Sequence, residues 1–159
     1  FFPNKEILAD LKIMDGGHLE ASYAYQAGAD YATVLGVSDI LTIKGALKAA
    51  IEFDRKLVVD MICVENLPSR IAQLEELGVD YLAVHTAADA QAAGKEPIQD
   101  LEVMTACAKK TPIAVAGGIN SKTVGKYVAL KPEIIIVGSR IGHAEDPLAE
   151  AKAIKSALL

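Results

Sequence analysis

The sequence predicts an α/β chain of the (β/α)8-barrel type, and three observations lead there. Six short apolar, β-branched runs alternate with helix-like stretches along the chain, a pattern that means parallel strands joined by right-handed crossovers. Polar or glycine-rich positions close run after run: Asp15-Gly16-Gly17, Gly36, His85-Thr86, Gly117-Gly118 and Gly138-Ser139. A barrel collects all its strand carboxyl ends around one site, whereas an open doubly wound sheet collects only those beside its switch point. With 159 residues, 52% of them hydrophobic, the chain is long enough for one domain with a sizeable core.

The elements follow in order. The first run, "EILADLKIM", read at a period of two, places Ile7, Ala9, Leu11 and Ile13 on one face and Leu8, Asp10, Lys12 and Met14 on the other. "LEASYAYQAGAD" is the first helical stretch, and a glycine stop leads into the strand Asp30–Val37. The third strand is Lys56–Val64. The stretch "NLPSRIAQLEELGVD" then ends at Gly78 in the same way, leading to Asp80–Ala87. Pro112–Ile119 and Glu133–Ile141 complete the strands, and the last helix begins with Asp146 as N-cap and Pro147 at its first position. Six units do not close an eight-stranded barrel, and the opening "FFPNKEIL" has no initiator methionine. The expectation is a single barrel domain over residues 1–159 that lacks its first two βα units.

Composition excludes some functions. A net charge of −5 with no Lys/Arg block argues against a nucleic-acid binder. No apolar run approaches twenty residues, so no membrane span is expected. Two cysteines, Cys63 and Cys107, in no metal-binding or redox spacing, fit a reduced, cytoplasmic chain.

Charges inside strands carry the functional signal. Asp10 and Lys12 share the inward face of the first strand, Asp60 shares a face with Val58 and Ile62, and His85 closes the fourth strand. An isolated buried charge costs several kcal/mol, of order 3–5 when its partner is removed, so these groups need one another or a metal. They read either as a buried structural network or as a set that moves protons. In (β/α)8 barrels a phosphate often sits after the last two strands, on backbone N–H groups and a short helix N-terminus. If the final two runs are those strands, Gly117, Gly118, Gly138 and Ser139 form the cradle and Arg140 adds charge. An anchored phosphate beside Asp, Lys, Asp and His suggests proton abstraction next to a sugar-phosphate carbonyl, with His85 as acid/base. His18 reads as a surface or capping residue, His143 as a bland residue that follows the phosphate loop, Tyr23 and Tyr25 as helix-surface or subunit-contact groups, and Cys63 as a small core residue.

The segments "LADLKIMDGG", "ATVLGV", "VVDMICVENL", "AVHTAADAQAAGKEPIQDL", "AVAGGI" and "IIIVGSRI", with the Asp-Pro that follows, resemble the 3-hexulose-6-phosphate synthases. These belong to the orotidine-5′-phosphate decarboxylase suprafamily of (β/α)8 barrels. The resemblance runs from about Ile7 to the C-terminus, and Asp10, Lys12 and Asp15 match the suprafamily's Asp-x-Lys-x-x-Asp motif. It implies a reversible condensation of ribulose 5-phosphate with formaldehyde through a Mg²⁺-stabilised enediolate. Asp10 would ligate the metal, Lys12 would stabilise or protonate the enediolate, and Asp15 would reach the partner's site in a homodimer. Asp60 and His85 match further active-site positions, with His85 as the proton-transfer residue; the "AGGI" and "VGS" turns match the phosphate grip. The sister 3-keto-L-gulonate-6-phosphate decarboxylases share the motif and a "DAQAAG" segment but typically carry glutamate where this chain has Asp60. "VDMI" therefore favours the synthase, while Ala87-Ala88 and the placement of Arg140 depart from the synthase and decarboxylase patterns respectively. The family's first two units, bearing an aspartate and a metal-binding glutamate, have no counterpart in the sequence given. A catalytically silent phosphate-binding fragment is the remaining alternative.

Overall fold

In the computed structural model, residues 4–158 are described. Strand β1 (Leu8–Ile13) leads to α1 (Gly17–Gln26), β2 (Tyr31–Leu35) to α2 (Ile40–Glu52), and β3 (Lys56–Asp60) to α3 (Leu67–Leu77). After β4 (Tyr81–His85) come the short α4 (Ala88–Ala92) and then α5 (Ile98–Cys107); β5 (Ile113–Ala116) precedes α6 (Val124–Val128). The chain continues through β6 (Ile134–Ile136), a single turn α7 (Ser139–Gly142) and α8 (Pro147–Ser156).

Among the described residues all five strand pairings are parallel, and the sheet order is β1-β2-β3-β4-β5-β6. A doubly wound sheet would reverse its order at a switch point; this one never does. The strands form a half-barrel. Its convex face carries Ala32, Val34, Leu57, Val59, Leu82, Val84, Ile113 and Val115 into the main core with α1, α2, α3 and α5. A smaller concave cluster joins Val58, Ala83 and Ala114, flanked by Leu8, Tyr31, Tyr81 and Ile134. That apolar floor leaves the polar carboxyl ends of the strands above it.

The caps form as their residues dictate. Gly28 (φ 99°) and Gly78 (φ 77°) take the left-handed turn after α1 and α3, and the Asp146 carboxylate accepts the Ala149 N–H at the start of α8. The aspartates that follow those glycines tie strand to strand. Asp30 accepts the Ile7 N–H (2.9 Å), and Asp80 accepts the Leu57 N–H (2.9 Å).

Four expectations need correction. The strict alternation of β1 fails: Ala9 pairs with Ala32 but Ile13 with Val34, so four steps on β1 match two on β2, and Leu11 is 43% exposed. The last run is shorter than expected, because the chain coils into α7 at Ser139. Tyr25 is buried, its hydroxyl donating to the Lys56 carbonyl (3.0 Å), rather than on the surface. Cys63 is exposed with φ 60° in the β3–α3 loop, not a core residue.

Candidate active site

Irregular β1 pairing builds the site. The extra residues form a bulge in which Lys12 adopts φ 49°, an uncommon conformation for a residue with a side chain. Its backbone N–H donates to Thr33 Oγ1 (2.9 Å). Its ammonium turns into the concave face, 2.5 Å from Asp10 Oδ2 and 3.9 Å from Asp60 Oδ2. Asp60 Oδ2 in turn lies 2.8 Å from His85 Nδ1, while Oδ1 accepts the Ile62 N–H (3.0 Å). Four charged or titratable groups from three strands thus form one chain of contacts.

Burial is graded along that chain. The Asp60 side chain is 6% exposed, His85 21%, Lys12 35% and Asp10 55%. Asp60 is the buried hub, and Asp10 is the member most open to a ligand. Partial burial works against the Asp10 charge, but the hydrogen bonds from Lys12 and Thr33 and the nearby positive charge prevail. They hold its carboxyl below the ordinary carboxylate value.

Asp10, Lys12, Thr33, Asp60 and His85 line one cleft of about 270 Å³ together with Gly117, Gly118, Gly138, Ser139 and Arg140. The structure therefore brings together every predicted site residue except Asp15. Asp15 sits at the β1–α1 turn, exposed, its carboxylate accepting the N–H of Gly16 (2.7 Å), and outside the cleft lining. At the far end Gly117 (φ 116°) and Gly118 (φ 65°) follow β5 in conformations that disfavour side chains. A Cβ on Gly118 would also stand 2.9 Å from Gln91 Oε1.

Two lining residues escaped sequence reasoning. Thr33 sits mid-strand as a β-former, with nothing in the pattern to distinguish it. Gln91 lies on α4, inside the quoted "DAQAAG"; its amide donates to the Thr86 carbonyl (2.7 Å) and packs on the glycine turn. His18 belongs elsewhere, 2.7 Å from Glu52 between α1 and α2. His143 lines a neighbouring recess with Ser139, Arg140 and Gln91.

No three His, Cys, Asp or Glu side chains among the described residues converge as a ready metal cage. Mg²⁺ does not need one: it commonly takes one or two carboxylates and completes its shell with water and substrate oxygens. Asp10 suits that role, since Lys12 and Thr33 use two of its roughly four lone-pair sites.

The sequence profile described as "Orotidine 5'-phosphate decarboxylase / HUMPS family" matches residues 3–154. The chain belongs to that family. Within it, a 3-hexulose-6-phosphate synthase of Staphylococcus haemolyticus is 44% identical over 98% of this chain and 74% of its own length. The crystal structure of 3-hexulose-6-phosphate synthase from Salmonella typhimurium superposes with TM-score 0.97 at 56% identity, over 99% of this chain and 74% of that one. A 3-keto-L-gulonate-6-phosphate decarboxylase from Vibrio cholerae shares the fold, with TM-score 0.80 at 24% identity over 99% of this chain and 73% of that one. These relatives are enzymes by name, and the (β/α)8-barrel type expected from the sequence is the family's fold.

Proposed function

We propose that the cleft condenses ribulose 5-phosphate with formaldehyde to give 3-hexulose 6-phosphate, a carbon–carbon lyase reaction run in the direction of synthesis. The observation that carries this reading is the Asp10–Lys12–Asp60–His85 chain facing the Gly117-Gly118 and Gly138-Ser139 turns across one cleft. The 44%-identical synthases support the choice of substrate.

In this reading the sugar's phosphate rests on the turn amides, with Arg140 adding charge at the rim. Its C1–C2 end then lies toward Lys12 and His85. Asp60 accepts the Nδ1 proton of His85 and so leaves Nε2 free to accept one. His85 takes the proton from C1, and Lys12 stabilises the oxyanion of the enediolate that results. C1 then bonds to the formaldehyde carbon, and the new alkoxide takes up a proton from the same pair of residues. When bound on Asp10, Mg²⁺ would supply further positive charge for the enediolate oxygens.

The assembly is a homodimer in this proposal, with Asp15 entering the partner's cleft. Its exposed position at the β1–α1 turn supports that role, as do the exposed apolar side chains Leu11, Met14, Leu19 and Tyr23 on β1, the turn and α1. No described helix is long and apolar enough to cross a membrane. The free cysteines suit the cytoplasmic setting we propose.

The test is formaldehyde consumption with ribulose 5-phosphate and Mg²⁺, run beside decarboxylation of 3-keto-L-gulonate 6-phosphate. Condensation that Lys12→Ala abolishes supports the synthase. Decarboxylation alone would move the assignment to the sister activity. Neither reaction, with inorganic phosphate still bound, would make the chain a phosphate-binding fragment.

A further inference from the structure

We propose that Thr33 is a positioning residue for the reaction: its one hydroxyl sets both the Lys12 backbone and the Asp10 carboxylate. The proposal rests on the functional reading above for its kinetic consequence, though not for its structural one.

The geometry is specific. Thr33 lies mid-strand in β2, is 4% exposed, and faces the concave side, opposite Val58. A hydroxyl has one proton to give and lone pairs to receive. Here Oγ1 accepts the Lys12 N–H at 2.9 Å and donates to Asp10 Oδ1 at 3.0 Å. The β1–β2 register breaks between Ala9 and Ile13, and inside that break the Lys12 N–H goes to the threonine side chain. The same hydroxyl therefore stabilises a left-handed Lys12 and fixes the carboxylate that Lys12 touches from the other side. Asp10 is clamped between two donors from two strands, so its second oxygen and the ammonium keep one relative placement. Valine would fill the same space and favour the strand at least as well, but would leave the Lys12 N–H unpaired and Asp10 free to turn.

The experiment compares Thr33→Val and Thr33→Ser with the unsubstituted chain, each checked for folding by circular dichroism. Steady-state kinetics use ribulose 5-phosphate, formaldehyde and Mg²⁺, and amide hydrogen exchange is followed at Lys12. We expect Thr33→Val to lower kcat by about 10–100-fold, the usual cost of losing a supporting partner of a site residue, with KM for the sugar phosphate within about threefold. Thr33→Ser, which keeps the hydroxyl, restores most of the rate. The Lys12 amide exchanges faster in Thr33→Val and stays protected in Thr33→Ser. A Val variant with unchanged kcat, or a Ser variant as impaired as Val, overturns the proposal. If the unsubstituted chain turns over neither substrate, the functional reading fails and the exchange data decide the placement. Loss of Lys12 protection in Val alone upholds the clamp, and equal protection in all three chains removes it.

Discussion

The two ends of the cleft are built on opposite plans. At the β1–β4 end every charged group is tied: Lys12 to Asp10, Asp60 to His85 and to the Ile62 amide, Thr33 to Asp10 and Lys12. At the β5–β6 end the lining is mostly backbone, with Gly117 and Gly118 in left-handed turns and Gly138, Ser139 and Arg140 exposed. One end spends its side chains on each other before substrate arrives, which suits groups that must keep a fixed orientation while protons move to and from the substrate. The other offers amides and one guanidinium, which suits a charge that is the same in substrate and product. Damage at the first end should therefore fall on kcat, and damage at the second on KM.

The largest effect is expected at Lys12. Its replacement by alanine removes the only cation within reach of both Asp10 and Asp60 among the described ion pairs, and leaves two carboxylates facing each other. Formaldehyde consumption should fall by about a thousandfold or more, in the range of losing a principal oxyanion stabiliser. A loss of tenfold or less would mean that the charge at this end is structural.

Next comes Asp60→Asn. The substitution keeps the shape and offers an amide to His85 Nδ1, which favours the tautomer with its proton on Nε2, the atom that should receive one. A fall in kcat of about 10²–10⁴-fold with little change in KM is expected, as for the loss of a general base. A change in KM alone would contradict the division between the two ends.

The grip end should respond in the opposite sense. Arg140→Ala should raise KM for ribulose 5-phosphate by about tenfold while leaving kcat within about threefold, because an exposed charge contributes binding that is uniform along the reaction. The penalty should shrink as salt is added, since screening already weakens an exposed pairing. Initial rates at two ionic strengths measure both.

Much of this contrast was legible in the sequence. The charged positions inside apolar strands stood out because burial makes them costly, and the paired glycines stood out because they close consecutive strands. Parallel pairing followed from alternation, and the sequential strand order from the polar carboxyl ends that favour a barrel over a doubly wound sheet. What escaped was local. The bulge at Lys12 cannot be read from a period-two pattern, because the apolar residues Leu11 and Ile13 sit where a regular strand would also put them. Thr33 and Gln91 work through hydrogen bonds to groups about 21–23 and 5 residues away, and their residue types suit an ordinary strand and helix equally well. Tyr25 was misplaced because a helix of weak amphipathicity gives little sign of which face is inside; its hydroxyl is accommodated by a strand carbonyl.

The smallest effect separates frame from site. Glu75 on α3 accepts the N–H groups of Lys109, Lys110 and Thr111 (2.8, 2.7 and 3.0 Å) and so fixes the loop that leads into β5. Partial burial works against its charge, yet the three amides outweigh it and hold the carboxyl below its ordinary 4.5. A depressed folded-state value means that the carboxylate adds stability above pH 4.5, and that this share is lost as pH falls through the lowered value. Glu75→Gln keeps an acceptor oxygen but loses the charge. Near pH 7 the variant should be less stable by about 1 kcal/mol, the charge-assisted part of such bonds, and the difference in Tm should close as pH falls through the lowered value. Kinetic constants for ribulose 5-phosphate should match those of the unsubstituted chain, because Glu75 touches neither end of the cleft. A change in KM with this variant would show that the loop before β5 helps to shape the glycine turns after it. The grip end would then be less independent of the scaffold than its open backbone suggests.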